Sequence, residues 1–207
     1  MHTAEATFDL LSGLGVNVWM VSRPQTAGNW KGGADALSTG EMGGLCLGLQ
    51  RQWLQSGRSM SIGLEKFYIG NAQHAQRTRE RVKGHTPDSL ECPSTLWKLF
   101  LLPDGTILPC TSYTGTEVMR QMPNLLQTEL ADVLRDSSLR SFVCRQKKER
   151  LISTPECAEC AHFSECGAGC GAYALSEKGA LNKPDPFMCA LYKGGWLRRF
   201  EETEESR

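Results

Sequence analysis

The sequence predicts an α/β segment followed by a small α+β region built from a β-hairpin and cysteine-rich loops. Three observations carry this reading. Helix-like and strand-like apolar stretches alternate up to Gly70. An Asp104-Gly105 pair sits between two apolar runs near the middle of the chain. Cysteine use is lopsided, because only Cys46 of the nine cysteines precedes residue 92. A basic stretch separates the two kinds of sequence, which gives segments 1–85 and 86–207.

Composition narrows the function classes. A chain of 207 residues with 40% hydrophobic content can bury a sizeable core. Its 23 basic and 23 acidic residues balance, so no global charge draws it to nucleic acid or to an anionic membrane. The opening residues MHTAEATFDLLSGLGVNVWM lack the basic start and apolar core of a secretory signal. No run approaches the ~18 apolar residues that a bilayer span requires. The expectation is a cytoplasmic protein with neither a nucleic-acid nor a membrane partner. In that reducing compartment, clustered cysteines point to metal rather than to disulfides.

Taken in order, ATFDLLSGLG has a helical apolar rhythm and ends on glycines suited to a helix terminus. VNVWMVSR reads as a buried strand, and PQTAGNWKGGADALSTG as a long loop. Ser38 or Thr39 can cap a helix through EMGGLCLGLQRQWLQSG, and SMSIGLEKFYIG reads as a second strand. Helix–strand–helix–strand at this spacing suggests βα units on a parallel sheet. Two such units do not close an eight-stranded barrel. HAQRTRERVKGH, residues 74–85, reads as a solvated connecting helix, with docking of an acidic peptide as the alternative. WKLFLLPDGTILPC is predicted to be a hairpin, and NLLQTELADVLRDSS and SLRSFVCRQKKERLI to be helices. EETEESR reads as a frayed tail.

The cysteines fall at Cys92-x12-Gly105-x4-Cys110, then Cys157-x2-Cys160-x5-Cys166-x3-Cys170, then Cys189. The hairpin can return the chain so that Cys92 and Cys110 approach one site. Gly167, Gly169 and Gly171 let the backbone curl around a bulky ligand. Thiolates are soft ligands, which leaves zinc and iron–sulfur chemistry open.

This pattern resembles the seven-cysteine signature of the SPASM domain, a C-terminal extension of radical-SAM enzymes that mature peptides and proteins. The resemblance covers Cys92 to Cys189. The preceding α/β segment resembles the closing part of a radical-SAM barrel, so the implied fold is a barrel remnant followed by a SPASM domain. The implied cofactors are two auxiliary [4Fe–4S] clusters. By position, Cys92, Cys110 and Cys170 would hold the first, and Cys157, Cys160, Cys166 and Cys189 the second. Two fully cysteine-ligated clusters need eight thiolates, and the motif supplies seven. The first cluster would then have an open iron, or a ligand such as His85, Asp88 or Cys144.

One departure bears on activity. The C-x3-C-x2-C triplet that binds the cluster for S-adenosylmethionine occurs nowhere in these residues. The chain is expected to be either part of a longer enzyme or a stand-alone cluster protein. S-adenosylmethionine would enter only through a missing N-terminal portion or a radical-SAM partner. No autonomous radical chemistry is expected, and no catalytic residue is assigned. The implied partner is a ribosomal precursor peptide or protein substrate. The alternatives are a stand-alone electron-transfer or precursor-binding protein and a zinc-stabilised structural module.

Other residues have plainer readings. Cys46 and Cys144 read as small core residues. His162 can tune a cluster through a hydrogen bond or sit on the surface. Arg145, Lys147, Lys148 and Arg150 read as a solvated helix face, with peptide docking as the alternative. Trp196 is expected to anchor the C-terminal segment by burying its ring. Glu65 and Lys66 end a predicted strand, where parallel-sheet sites collect.

Overall fold

The computed structural model describes residues 2–24, 37–58, 60–70 and 84–206. Most of the predicted loop at 24–40 and of the basic stretch at 74–85 lies outside them. The chain divides into two compact units. The first comprises residues 1–24, 35–83 and 187–207, and the second comprises residues 25–34 and 84–186. Among the described residues, no helix is long and apolar enough to cross a membrane.

In the first unit, α1 (His2–Gly13) leads to β1 (Val18–Val21), and α2 (Thr39–Gln55) returns the chain to β2 (Ser61–Leu64). β1 and β2 are parallel, with Val18 beside Ser61 and Val21 beside Leu64. This is the expected strand–helix–strand unit. Ser38 caps α2 through a capping box: its hydroxyl accepts from the Glu41 N–H, and the Glu41 carboxylate accepts from the Ser38 N–H. The second expected strand breaks in two. Glu65, with φ +48°, starts a turn, and β3 (Tyr68–Gly70) comes back antiparallel to β2. The sheet is therefore mixed, in the order β1-β2-β3. The Glu65 carboxylate takes the Arg23 guanidinium at 3.6 Å and accepts from the Arg23 N–H at 3.2 Å.

The C-terminal helices α9 (Pro186–Lys193) and α10 (Trp196–Glu205) complete this unit. Phe67 lies amid the rings of Phe187, Trp196 and Phe200, with centroids 5.4, 6.0 and 5.6 Å away. Trp196 lies so close over Gly43 that a Cβ there would meet its ring at 2.7 Å. Trp196 packs here as expected, but it is half-buried rather than buried. The terminal EETEESR is helical through Glu205 rather than frayed.

The second unit holds the hairpin of β4 (Phe100–Leu101) and β5 (Ile107–Leu108). Gly105 takes φ +86° at its turn, and the Asp104 carboxylate accepts from the Thr106 N–H at 2.9 Å. Ile107, Leu108, Val118, Val133, Leu139 and Leu175 form the core beneath it. The expected long helices are shorter. NLLQTELADVLRDSS yields α3 (Leu130–Val133) and the start of α4 (Ser137–Val143). Asp136 stops one and caps the other by accepting from the Ser138 and Leu139 N–H groups. The next segment is interrupted at Cys144–Gln146, because Gln146 and Glu149 form a new capping box for α5 (Lys147–Leu151). There follow α6 (Pro155–Ala158), α7 (Phe163–Cys166) and α8 (Gly171–Lys178).

Candidate functional site

Six of the seven signature cysteines lie in the second unit, and Cys189 lies on α9 in the first. Among the described residues no disulfide forms.

The neighbourhood of Cys92, Cys110 and Cys170 is built by the hairpin and the start of α8. The Cys92 carbonyl ends a tight turn by accepting from the Thr95 hydroxyl at 2.7 Å, which leaves its thiol exposed. Cys110 follows β5, half-buried, and its thiol donates to the Ser112 hydroxyl at 3.4 Å. Cys170 precedes α8, and its N–H donates to the buried Asp185 carboxylate at 3.0 Å. Tyr113 lies near Cys110 and Cys170 and lines one cavity with Cys92. Burial raises its hydroxyl pKa, and the charges of Cys170, Cys110 and Glu91 raise it further.

A cavity of about 20 Å³ opens beside Cys92, lined also by Glu91, Tyr113, Arg145, Pro109 and Gly171. The last two adjoin Cys110 and Cys170. Glu91 Oε2 and Arg145 Nε are both buried there without a hydrogen-bond partner. Such orphans are costly.

Cys157 is buried on α6, and Cys160 follows it, donating its N–H to the Cys157 carbonyl at 3.2 Å. Cys166 closes α7 with its N–H on the His162 carbonyl at 2.8 Å. Between Cys166 and Cys170 the backbone is left-handed three times running, at Gly167 (φ +57°), Ala168 (φ +63°) and Gly169 (φ +76°). Glycine is the residue that takes this region without strain. A Cβ on Gly167 would also meet the His85 ring at 2.6 Å, and one on Gly169 would collide with Asp185. Gly167 and Gly169 curl the loop as expected, with a strained alanine between them, whereas Gly171 starts α8.

The basic run is not a solvated face. Arg150 is fully buried, with Nη1 on Glu91 Oε1 at 2.6 Å and on the Gly169 carbonyl at 3.3 Å. Its Nε and Nη2 donate to the Lys183 carbonyl. One guanidinium thus joins the residue before Cys92, the loop before Cys170 and the segment after α8. Lys147 is also buried, and donates to the Gly167 carbonyl at 2.7 Å and the Glu91 carbonyl at 3.4 Å. Burial lowers its pKa, opposed by the charges of Glu91, Cys166 and Cys92. Only Lys148 behaves as expected, exposed and paired with Asp88 at 3.0 Å. The reason is the break at Cys144–Gln146, which turns α5 so that its basic residues point inward. Cys144, expected in a core, is exposed at the end of α4.

Glu91, Arg145, Lys147, Arg150 and Asp185 were not expected beside the cysteines. Glu91 stands next to the first signature cysteine, and that adjacency was the one available signal. The donor set suits iron–sulfur clusters: Cys110 and Cys170 both act on Tyr113, which lines the cavity with Cys92, and so do Glu91 and Arg145, which carry an unpaired carboxylate oxygen and an unpaired N–H. Among the described residues, no three His, Cys, Asp or Glu side chains gather closely enough to hold a single metal ion.

Comparison with known proteins points the same way. Residues 92–161 match the family model of the SPASM iron–sulfur cluster-binding domain. The matched stretch contains Cys92, Cys110, Cys157 and Cys160 of the signature, and the other three cysteines follow it. No curated protein and no solved structure matches the chain.

Proposed function

We propose, on the premise that residues 92–161 form a SPASM iron–sulfur cluster-binding domain, that the chain carries two auxiliary [4Fe–4S] clusters for a radical-SAM maturase of peptides or proteins. Cys92, Cys110 and Cys170 hold the first cluster, and Cys157, Cys160, Cys166 and Cys189 the second. The observation that carries the reading is the family match together with the cavity at Cys92, around which the neighbours of Cys110 and Cys170 also stand.

The clusters, when bound, supply one-electron transfer and iron sites that can ligate substrate. The chain's own residues set the conditions. Lys147 is buried and donates to the Gly167 and Glu91 carbonyls, the residues next to Cys166 and Cys92. Tyr113 closes one side of the first site with a ring and a hydroxyl that stays protonated at neutral pH. Burial and hydrogen bonds to sulfur are the protein's levers on cluster potential.

In this reading the α/β unit is the remnant of a radical-SAM barrel, supported by the parallel β1–β2 pair joined through α2. The radical-forming site belongs to a partner or to a longer form of the enzyme, because the C-x3-C-x2-C triplet does not occur in these residues. A ribosomal precursor peptide or protein is the substrate, and the working compartment is the cytoplasm.

Metal and acid-labile sulfide content of anaerobically purified protein, with electron paramagnetic resonance after reduction, tests the proposal. About eight irons and eight sulfides per chain with a reduced-cluster signal are expected. One or two zincs without sulfide, persisting after anaerobic reconstitution, would sink it and leave a structural metal module.

A further inference from the structure

The motif leaves the first cluster one protein ligand short, and the structure narrows the choice. Asp88 is exposed and engaged by Lys148. Cys144 is exposed at the end of α4. His85 sits against the Cys166–Cys170 loop, its ring over Gly167. None of the three lines the cavity at Cys92. Glu91 does, and it differs from them in three ways. Its side chain is only 9% exposed. One carboxylate oxygen is held by Arg150 at 2.6 Å, which fixes the group. The other, Oε2, has no partner although it is buried.

The neighbours of Glu91 belong to the same site. It precedes Cys92 in sequence, and its Oε1 lies 3.0 Å from where a Cβ on Gly171 would stand, next to Cys170. Its charge acts on Tyr113 together with those of Cys110 and Cys170. A carboxylate with one oxygen fixed and one bare can ligate a metal through the bare one. Iron in a cluster accepts oxygen as well as sulfur ligands, and a buried anion gains most from such a partner.

From this convergence we infer that Glu91 is the fourth protein ligand of the cluster held by Cys92, Cys110 and Cys170, binding iron through Oε2. Arg145 lines the same cavity, and its Nε–H is also without a partner. Arg150 is a positioning residue, since it holds the other oxygen of Glu91. The inference rests on the cluster-binding reading above and specifies one site within it.

The test uses the full chain, reconstituted anaerobically with iron and sulfide, as wild type, Glu91→Gln and Glu91→Cys. Isotopically labelled cyanide is the probe, because it binds an iron that lacks a protein ligand. Glutamine keeps an acceptor for Arg150 but gives up the charged oxygen, so a purely structural role would survive it. The wild-type spectrum is expected to show no hyperfine coupling to the label. Glu91→Gln is expected to keep its iron and gain that coupling on one cluster. Glu91→Cys is expected to keep its iron and stay silent. Coupling in the wild type, or a Glu91→Gln protein indistinguishable from it, overturns the assignment. If Glu91→Gln fails to fold, Glu91→Cys decides: wild-type iron content with a shifted reduced-cluster signal supports ligation, and loss of about half the iron or an unshifted signal overturns it. A wild type without labile sulfide overturns both this inference and the cluster-binding reading, whereas the other adverse outcomes leave that reading standing.

Discussion

Cys46 shows what a cysteine outside the signature does. It is fully buried on α2, and burial, with a smaller contribution from Glu65, pushes its thiol pKa up to about 12. An unfolded thiol ionises near ~8.5. The unfolded chain therefore releases this proton first, and stability present below that pH is lost as pH rises from there toward the folded value. The slope attributable to Cys46 is ~1.4 kcal/mol per pH unit. Replacing Cys46 by Ala should cost about 1–2 kcal/mol at neutral pH. Urea unfolding at about pH 7.5, 9 and 10.5 should show the gap between wild type and Cys46→Ala closing as pH rises. A gap that stays constant would mean that the folded thiol ionises as freely as the unfolded one. Tyr68, whose hydroxyl burial also pushes up to about 12, contributes equally to both proteins and cancels from the comparison. Arg150 makes a harsher case. Arg150→Met strands the Glu91 carboxylate in the interior, and breaking such a buried pair costs about 3–5 kcal/mol. Urea denaturation should show that loss. A change within about 0.5 kcal/mol, the range of an ordinary surface substitution, would mean that water replaces the guanidinium there.

Among the elements, legibility followed the range of the forces that define each one. α2 was readable because its capping box is local: Ser38 and Glu41 are three residues apart and satisfy each other's backbone N–H. The β4–β5 hairpin was readable because Asp104-Gly105 determines its own turn. The split of SMSIGLEKFYIG into β2 and β3 was not. Its apolar residues run through the turn because Phe67 is buried there against Phe187 and Phe200, which lie far along the chain. The inward face of α5 was hidden for a similar reason. Basic residues read as solvated until their partners, the Gly167, Gly169 and Lys183 carbonyls and Glu91, are in place. The cysteine spacing was legible as a cluster motif, whereas the residues that surround it were not. The Cys166–Cys170 turn offers a test at this scale. Gly169→Ala adds a Cβ that collides with Asp185 and imposes a left-handed φ on alanine. It should cost about 1–3 kcal/mol, whereas Gly44→Ala on α2, where a Cβ has open space, should stabilise by about 0.4–1 kcal/mol. Parallel urea titrations of the two variants measure the difference. Equal effects would mean that the turn rearranges at no expense.

At the level of the whole molecule, the first unit is made from both ends of the chain, and residues 84–186 are inserted between its parts. The buried rings of Phe67, Tyr68 and Phe200 come from these separate parts, with Tyr68 and Phe200 stacked at 6.0 Å. Deleting residues 194–207 should therefore strip amide-exchange protection from β1, β2 and β3 while β4 and β5 keep theirs. Loss of protection in both sheets together would mean that the units fold as one. The same connectivity has a consequence for biosynthesis. The last strand of the first sheet leaves the ribosome about 130 residues before Phe200, the side chain that covers Phe67 and Tyr68. At ordinary elongation rates that interval is about 7–26 s. During that wait Phe67 and Tyr68 lack their cover, and the inserted unit has emerged in full. The nascent chain thus passes through a stage with its cysteine-rich part assembled and an apolar sheet awaiting its last helix, when a holdase would have its clearest target.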